Sequence, residues 1–185
     1  MRWVHQYSPE IEKKIRRHLR QTNDSWRVDE TYIKVKCKWK YFYRAVDSNG
    51  NTIDFMLSAK RDRKAANRFF KKALGSKYNQ MPRVITVDKN PAYPSAVNEL
   101  KNDQILPKNV GIRQIKYLNN IVEQDHISVK RIVRPMLGFQ SFHTAIKTLK
   151  GIEIMHMIKK GQVETLNRCV LAEVNFINQL FGITA

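Results

Sequence analysis

Cysteine is scarce in this 185-residue chain. Cys37 and Cys169 are the only two, and neither belongs to a Cys-x-x-Cys pair or a Cys/His spacing that suits zinc. A disulfide framework and a structural zinc knot are therefore not expected. No apolar run approaches the roughly 18 residues that would read as a membrane span, and Met1-Arg2-Trp3-Val4-His5-Gln6 lacks the apolar centre of a secretory signal. A cytoplasmic chain without a membrane partner is expected. There is no internal repeat, low-complexity tract or linker rich in Pro, Gly or Ser, so a single principal domain fits the length. Acidic residues are also few: 16 Asp and Glu stand against 34 Lys and Arg, a formal charge of +18. That excess calls for an anionic partner. Because the bases are spread along the whole chain rather than gathered in one amphipathic helix or tail, nucleic acid fits better than an anionic membrane.

The pattern along the chain is α/β. Residues 9 to 20 place Ile11, Ile15 and Leu19 at helical spacing among bases, which predicts a basic amphipathic leader helix that packs on the domain or touches DNA. Segments 26–35, 38–47 and 52–58 are rich in β-branched and aromatic residues, and Ser48-Asn49-Gly50-Asn51 reads as a hairpin turn. Together they predict an antiparallel meander. A helix over 62–74 precedes the apolar run Arg83-Val84-Ile85-Thr86-Val87, a step that favours parallel pairing. A helix over 92–101, a strand over 110–116 and helices over 120–134, 139–160 and 163–181 complete the reading. In 26–44, Trp26, Trp39, Tyr41 and Tyr43 interleave with Arg27, Lys38, Lys40 and Arg44. Such alternation reads as one core face and one wet face, with stacking on unpaired nucleotides as the other reading.

Three acids stand out, each with two readings. Asp29 lies mid-strand, where two-residue periodicity sends Asp29 and Glu30 to opposite faces, so that one of them points at a given site; it reads equally as a solvated strand-face acid. Asp88 follows a buried-type strand, at the strand end where α/β sheets bind ligands, and also as a turn residue before Asn90-Pro91. Glu123 has capping-box spacing from Asn120, yet it shares a helix face with His126, Ile127, Lys130 and Arg134, an acid followed by cations. Carboxylates from distant positions suit hard divalent cations, which prefer oxygen ligands and can clamp the attacking and leaving oxygens of a phosphodiester. His5, His18, His143 and His156 show no ligand spacing.

These acids sit in Trp26-Arg27-Val28-Asp29-Glu30-Thr31-Tyr32-Ile33-Lys34-Val35, in Val84-Ile85-Thr86-Val87-Asp88-Lys89 with Pro91, and in Lys116-Tyr117-Leu118-Asn119-Asn120-Ile121-Val122-Glu123-Gln124-Asp125-His126, with 34 positions between the last two acids. In these stretches the chain resembles the DDE transposases of bacterial insertion sequences, most closely the sixth insertion-sequence family. The likeness extends through Gly138-Phe139-Gln140-Ser141-Phe142 and Thr148-Leu149-Lys150-Gly151-Ile152-Glu153. The resemblance implies an RNase H-like, retroviral integrase-like core, a mixed five-stranded sheet flanked by helices, over residues 25–160. Residues 161–185 are expected to be a C-terminal helix. By the same resemblance, residues 1–24 are expected to be a basic leader, the remnant of the family's N-terminal helix-turn-helix region in an N-terminally truncated copy.

The resemblance further implies metal-dependent DNA strand cleavage and strand transfer, with Asp29, Asp88 and Glu123 as catalytic metal ligands for two Mg²⁺ or Mn²⁺ ions. His126 is expected near the scissile phosphate, and Lys130, which matches a basic position two helical turns beyond the family glutamate, joins Arg131 and Arg134 as phosphate contacts. Element ends and target DNA are the implied partners, with homo-oligomer assembly on DNA in a bacterial cytoplasm at the nucleoid. Cys37 stands where the family has glycine in a turn, which predicts strain. A truncated, non-catalytic DNA-binding fragment and a general RNase H-like nuclease are the alternatives.

Overall fold

The structure, a computed structural model, describes residues 2–164 and 169–183, and only the backbone at 116 and 117. The chain divides into two compact units, residues 21–139 and the pair of segments 1–20 and 140–185. The first holds the sheet. β1 (Ser25–Val35), β2 (Lys38–Asp47) and β3 (Thr52–Ser58) form the expected antiparallel meander, followed by α2 (Arg63–Leu74), β4 (Val84–Val87), α3 (Ala92–Asn102), β5 (Gly111–Gln114) and α4 (Asn120–Val133). The sheet order is β3-β2-β1-β4-β5, with β4 parallel to both β1 and β5. This is the mixed five-stranded sheet that the family resemblance implies.

Turn chemistry fixes the meander. Asp47 is fully buried and accepts hydrogen bonds from the backbone N–H groups of Asn23, Asn49 and Asn51, while Gly50 takes φ +82°. The β1–β2 turn is tighter and places Lys36 (φ +48°) and Cys37 (φ +59°) in the left-handed region. A two-residue hairpin of type I′ needs positive φ at both central positions, which costs a non-glycine residue energy. The strain expected at Cys37 is thus present in the backbone.

One face of the sheet packs Trp26, Val28, Tyr43 and Ile85 against Phe69, Phe70 and Tyr93 of α2 and α3. The alternation in β2 does not leave its other face wet: residues 42–47 are all buried, and Arg44, expected on a solvated face, is 0% exposed and paired through Nη2 to Asp125 Oδ2 at 2.5 Å. α4 packs against β1 and β2, so polar residues on that face must find partners within the fold.

In the second unit, α1 (Arg2–Ile15) packs against α5 (Phe142–Lys159), and α6 spans Val170–Leu180. The leader helix was expected over 9–20. It starts earlier, with Pro9 inside it, and gives way to a 3₁₀ turn at Arg16–His18. Tertiary pairing decides the end, since Leu19 bridges to Val163 and the Arg20 N–H donates to the Gln162 carbonyl at 2.8 Å. The helices approach so closely that a Cβ on Gly151 would lie 2.4 Å from Ser8 Oγ. Part of the helix expected over 163–181 falls on residues 165–168, outside the described residues. Among the described residues, no helix is long and apolar enough to cross a membrane.

Candidate active site

β4 is short. Along β1 it pairs with Ser25–Arg27, so among the described residues that edge of β1 has no strand beside it from Val28 until Val35 bridges to Phe139, and Asp88, the residue after β4, lies at the start of that gap. Alternation places Trp26 and Val28 on the α2/α3 face, with Glu30 beyond them, whereas Arg27 reaches the Leu118 carbonyl at 3.0 Å and Asp29 reaches α4. The two carboxylates do leave the strand on opposite faces. Even so, oxygens of Asp29, Glu30 and Asp88 all lie within 4.8 Å of one another. The expectation that only one of Asp29 and Glu30 could serve a given site does not hold here, because β4 ends beside them and side chains can fold round the edge it leaves free.

Glu30 is buried and accepts from the Tyr93 hydroxyl and from Arg61 Nε. Burial raises its pKa above the ordinary value, against the lowering effects of the Tyr93 hydrogen bond and the Arg61 charge. Arg61 Nη2 also donates to Asp88 Oδ2 at 3.2 Å. One guanidinium thus bridges two of the three carboxylates. Asp88 Oδ1 accepts the Asn90 N–H at 3.0 Å, and Asn90 Oδ1 accepts the Ala92 N–H at 3.0 Å. Asp88 thus serves the turn through Oδ1 and holds Arg61 through Oδ2. Sequence reasoning missed Arg61 and Tyr93. Arg61 is hidden in the charge run Lys60-Arg61-Asp62-Arg63-Lys64, and the only signal for Tyr93 is its place two residues after Pro91.

Across the strand, Glu123 lies exposed in the first turn of α4. The capping box does not form: Asn119 is the N-cap, no side chain caps the helix, and Asn119 Nδ2 instead donates to the Val28 carbonyl at 3.4 Å. Glu123 is left facing a cleft of about 650 Å³ that it shares with Asp29, Glu30, His126 and Lys130. It stays outside the cluster of Asp29, Glu30 and Asp88. His126 is only 3% exposed, with Nε2 3.4 Å from Asp29 Oδ2. Burial lowers its pKa, helped by the charges of Arg44 and Lys130 and opposed by Asp29. Arg131 and Arg134 line an adjoining depression with Lys130.

The donor set is chemically suited to a hard divalent cation: three carboxylates converge, and a guanidinium already holds positive charge between two of them. Like charges so close repel one another unless a cation intervenes.

The family model described as a DDE domain matches residues 23–162. Two Staphylococcus aureus proteins, a transposase for an insertion sequence-like element IS431mec and the transposase for insertion sequence element IS257 in transposon Tn4003, are each 38% identical over 165 residues, covering 89% of this chain and 71% of theirs. Among solved structures, the catalytic core domain of HTLV-2 integrase, in complex with magnesium, superposes with a TM-score of 0.55 at 17% identity, covering 80% of this chain and 90% of that one. That likeness concerns the fold, an RNase H-like integrase core. The domain match, the relatives and the acid-bearing sheet edge agree, and the chain belongs to the DDE transposases of insertion sequences, in the sixth insertion-sequence family.

Proposed function

We propose that the DNA cleavage and strand transfer of this transposase family are carried out here by Asp29, Asp88 and Glu123, acting as ligands for two divalent cations, Mg²⁺ or Mn²⁺, on element ends and target DNA. The observation that carries this reading is the position of Asp29: it meets Asp88 within 4.8 Å beside the end of β4 and opens into the same cleft as Glu123. When bound, such cations activate a water or a DNA 3′-hydroxyl for in-line attack and stabilise the leaving oxyanion.

The protein's own groups supply the rest. Arg61 offsets the mutual repulsion of Glu30 and Asp88 and keeps both near Asp29. His126, buried against Asp29, limits the directions that carboxylate can take. Lys130, with Arg131 next to it on α4 and Arg134 just past the helix end, offers cations to the strand phosphates beside the acids. Residues 25–160 carry the catalytic function in this reading, flanked by the leader 1–24 and the C-terminal segment 161–185, and the active form is a homo-oligomer on DNA at the nucleoid.

The test is strand joining with Mg²⁺ or Mn²⁺ on pre-nicked DNA bearing the ends of the source element, compared with Glu123→Gln. Calorimetric Mn²⁺ titration of the parent, Asp29→Asn and Asp88→Asn accompanies it. Joining lost in Glu123→Gln, with DNA affinity kept and Mn²⁺ binding weakened in both Asp variants, is expected. DNA binding lost to the same degree as joining would overturn the ligand assignment.

A further inference from the structure

Beside the acidic cleft lies a second depression of about 360 Å³, within the range of ligand pockets, roughly 300–1,000 Å³. Its walls combine two chemistries. Tyr32 and Trp39, from β1 and β2, supply aromatic surface and Leu137 an aliphatic rim, while Lys34, Lys130 and Arg134 stand around them. These apolar groups are not core residues: Trp39 is 61% exposed, Tyr32 49% and Leu137 88%. Their clustering on a protein of charge +18 marks a binding surface rather than scattered exposure.

The pocket is held in shape. Tyr32 and Trp39 pack nearly perpendicular, at 80° with ring centroids 6.4 Å apart, and Tyr32 also leans on Tyr41 at 5.5 Å. The indole is therefore propped without a parallel stack. On the opposite wall, the chain after α4 returns to β1: the Phe139 N–H donates to the Lys34 carbonyl at 2.9 Å and the Lys36 N–H to the Phe139 carbonyl at 2.8 Å. Gly138 (φ +111°) permits that approach, since a Cβ there would lie 3.2 Å from the Lys34 carbonyl oxygen. Tyr32 and Lys130 line this pocket and the acidic cleft alike, so the two adjoin.

We propose that this depression is a subsite for one unstacked nucleobase of the DNA strand that enters the acidic cleft, stacked on Trp39 and Tyr32 with its flanking phosphates on Lys130 and Arg134. Within a duplex the base faces are covered and such a pocket meets only the backbone, whereas a base turned out of the stack presents a π-face to aromatic rings and its phosphate to the cationic rim. Paired aromatic and cationic walls match both halves of one nucleotide, which neither a purely apolar nor a purely basic surface does. The proposal rests on the DNA-cleaving reading of the adjoining cleft.

The test uses the full chain in metal-free buffer, with oligonucleotide duplexes carrying 2-aminopurine either unpaired at a strand end or within a blunt duplex. The parent is expected to change the emission of the unpaired probe and to bind that DNA more tightly than the blunt one. Trp39→Ala is expected to weaken binding of the unpaired-end DNA about tenfold, with blunt-duplex affinity unchanged, and Trp39→Phe to retain most of the preference. Circular dichroism confirms that the variants fold. Equal affinity of the parent and Trp39→Ala for the unpaired-end DNA would overturn the subsite. Altered sedimentation of Trp39→Ala with unchanged DNA affinity would also overturn it, and would assign the patch to a second copy of the chain. Strand joining with metal is scored separately: a stacking signal without joining refutes the cleavage reading alone, and joining without a stacking signal refutes the subsite alone.

Discussion

Replacing Asp125 by alanine should be strongly destabilising, because it deletes one partner of a buried ion pair. Arg44 is fully enclosed between β2 and α4, and its Nη2 donates to Asp125 Oδ2 at 2.5 Å. Removing the carboxylate leaves a buried guanidinium without this counter-charge, a loss of roughly 3–5 kcal/mol when one partner of a buried pair is deleted. A domain has only about 5–15 kcal/mol in total. For a chain of this size, about 2–4 °C is lost per kcal/mol, so the midpoint should fall by roughly 6–20 °C. The same substitution frees the start of α4, where Glu123 sits two residues earlier, so strand joining should fall even well below the melting transition. The assay is thermal and urea denaturation followed by circular dichroism, with joining measured at a temperature where the variant remains folded. Arg44→Met combined with Asp125→Leu should recover most of the stability, because apolar groups of similar volume replace a buried pair at little cost. If Asp125→Ala lies within about 1 kcal/mol of the parent, the pair does not hold α4 to the sheet and the reasoning fails.

At Cys37, glycine should stabilise the β1–β2 turn by about 0.5–1 kcal/mol, since relief of left-handed strain outweighs the greater chain entropy of glycine; an unchanged or lower urea midpoint would refute this. Glu12, salt-bridged to Lys150 at 2.7 Å and Arg16 at 3.1 Å, is desolvated, yet these cations hold its pKa below the ordinary 4.5. Its contribution is present above pH 4.5 and is lost as the pH falls through the lowered value, so the stability gap between the parent and Glu12→Gln, about 1–3 kcal/mol at pH 7, should close on acidification below pH 4.5. A gap that persists unchanged to pH 2 would contradict the assignment. Tyr93→Phe should destabilise by about 1–3 kcal/mol because buried Glu30 loses a hydroxyl donor while the ring packing stays; a melting midpoint equal to the parent's would show that the hydroxyl does not support Glu30.

Much of the architecture was legible in the residues because it depends on local rules. Alternation of β-branched and aromatic residues marks β1 to β3, Asn49-Gly50 marks their second turn, and the short apolar run 84–87 marks a buried parallel strand. Three acid-bearing motifs were equally visible. Only tertiary structure could decide which carboxylates meet. Asp29 and Glu30 leave opposite faces of β1, and they converge with Asp88 because β4 stops at Val87 and opens an edge, a property of strand pairing rather than of either segment. The same holds for Arg61 and Tyr93, brought to Glu30 across 31 and 63 positions, and for Arg44 and Asp125, joined across 81. The Asn120 and Glu123 spacing allowed a cap that the fold did not use, since Asn119 is held by the Val28 carbonyl. The sequence by itself determined the elements and the chemistry available to them, because propensity and periodicity act over a few residues. The tertiary structure decided which charges face one another, because burial and pairing act between segments that no local pattern connects.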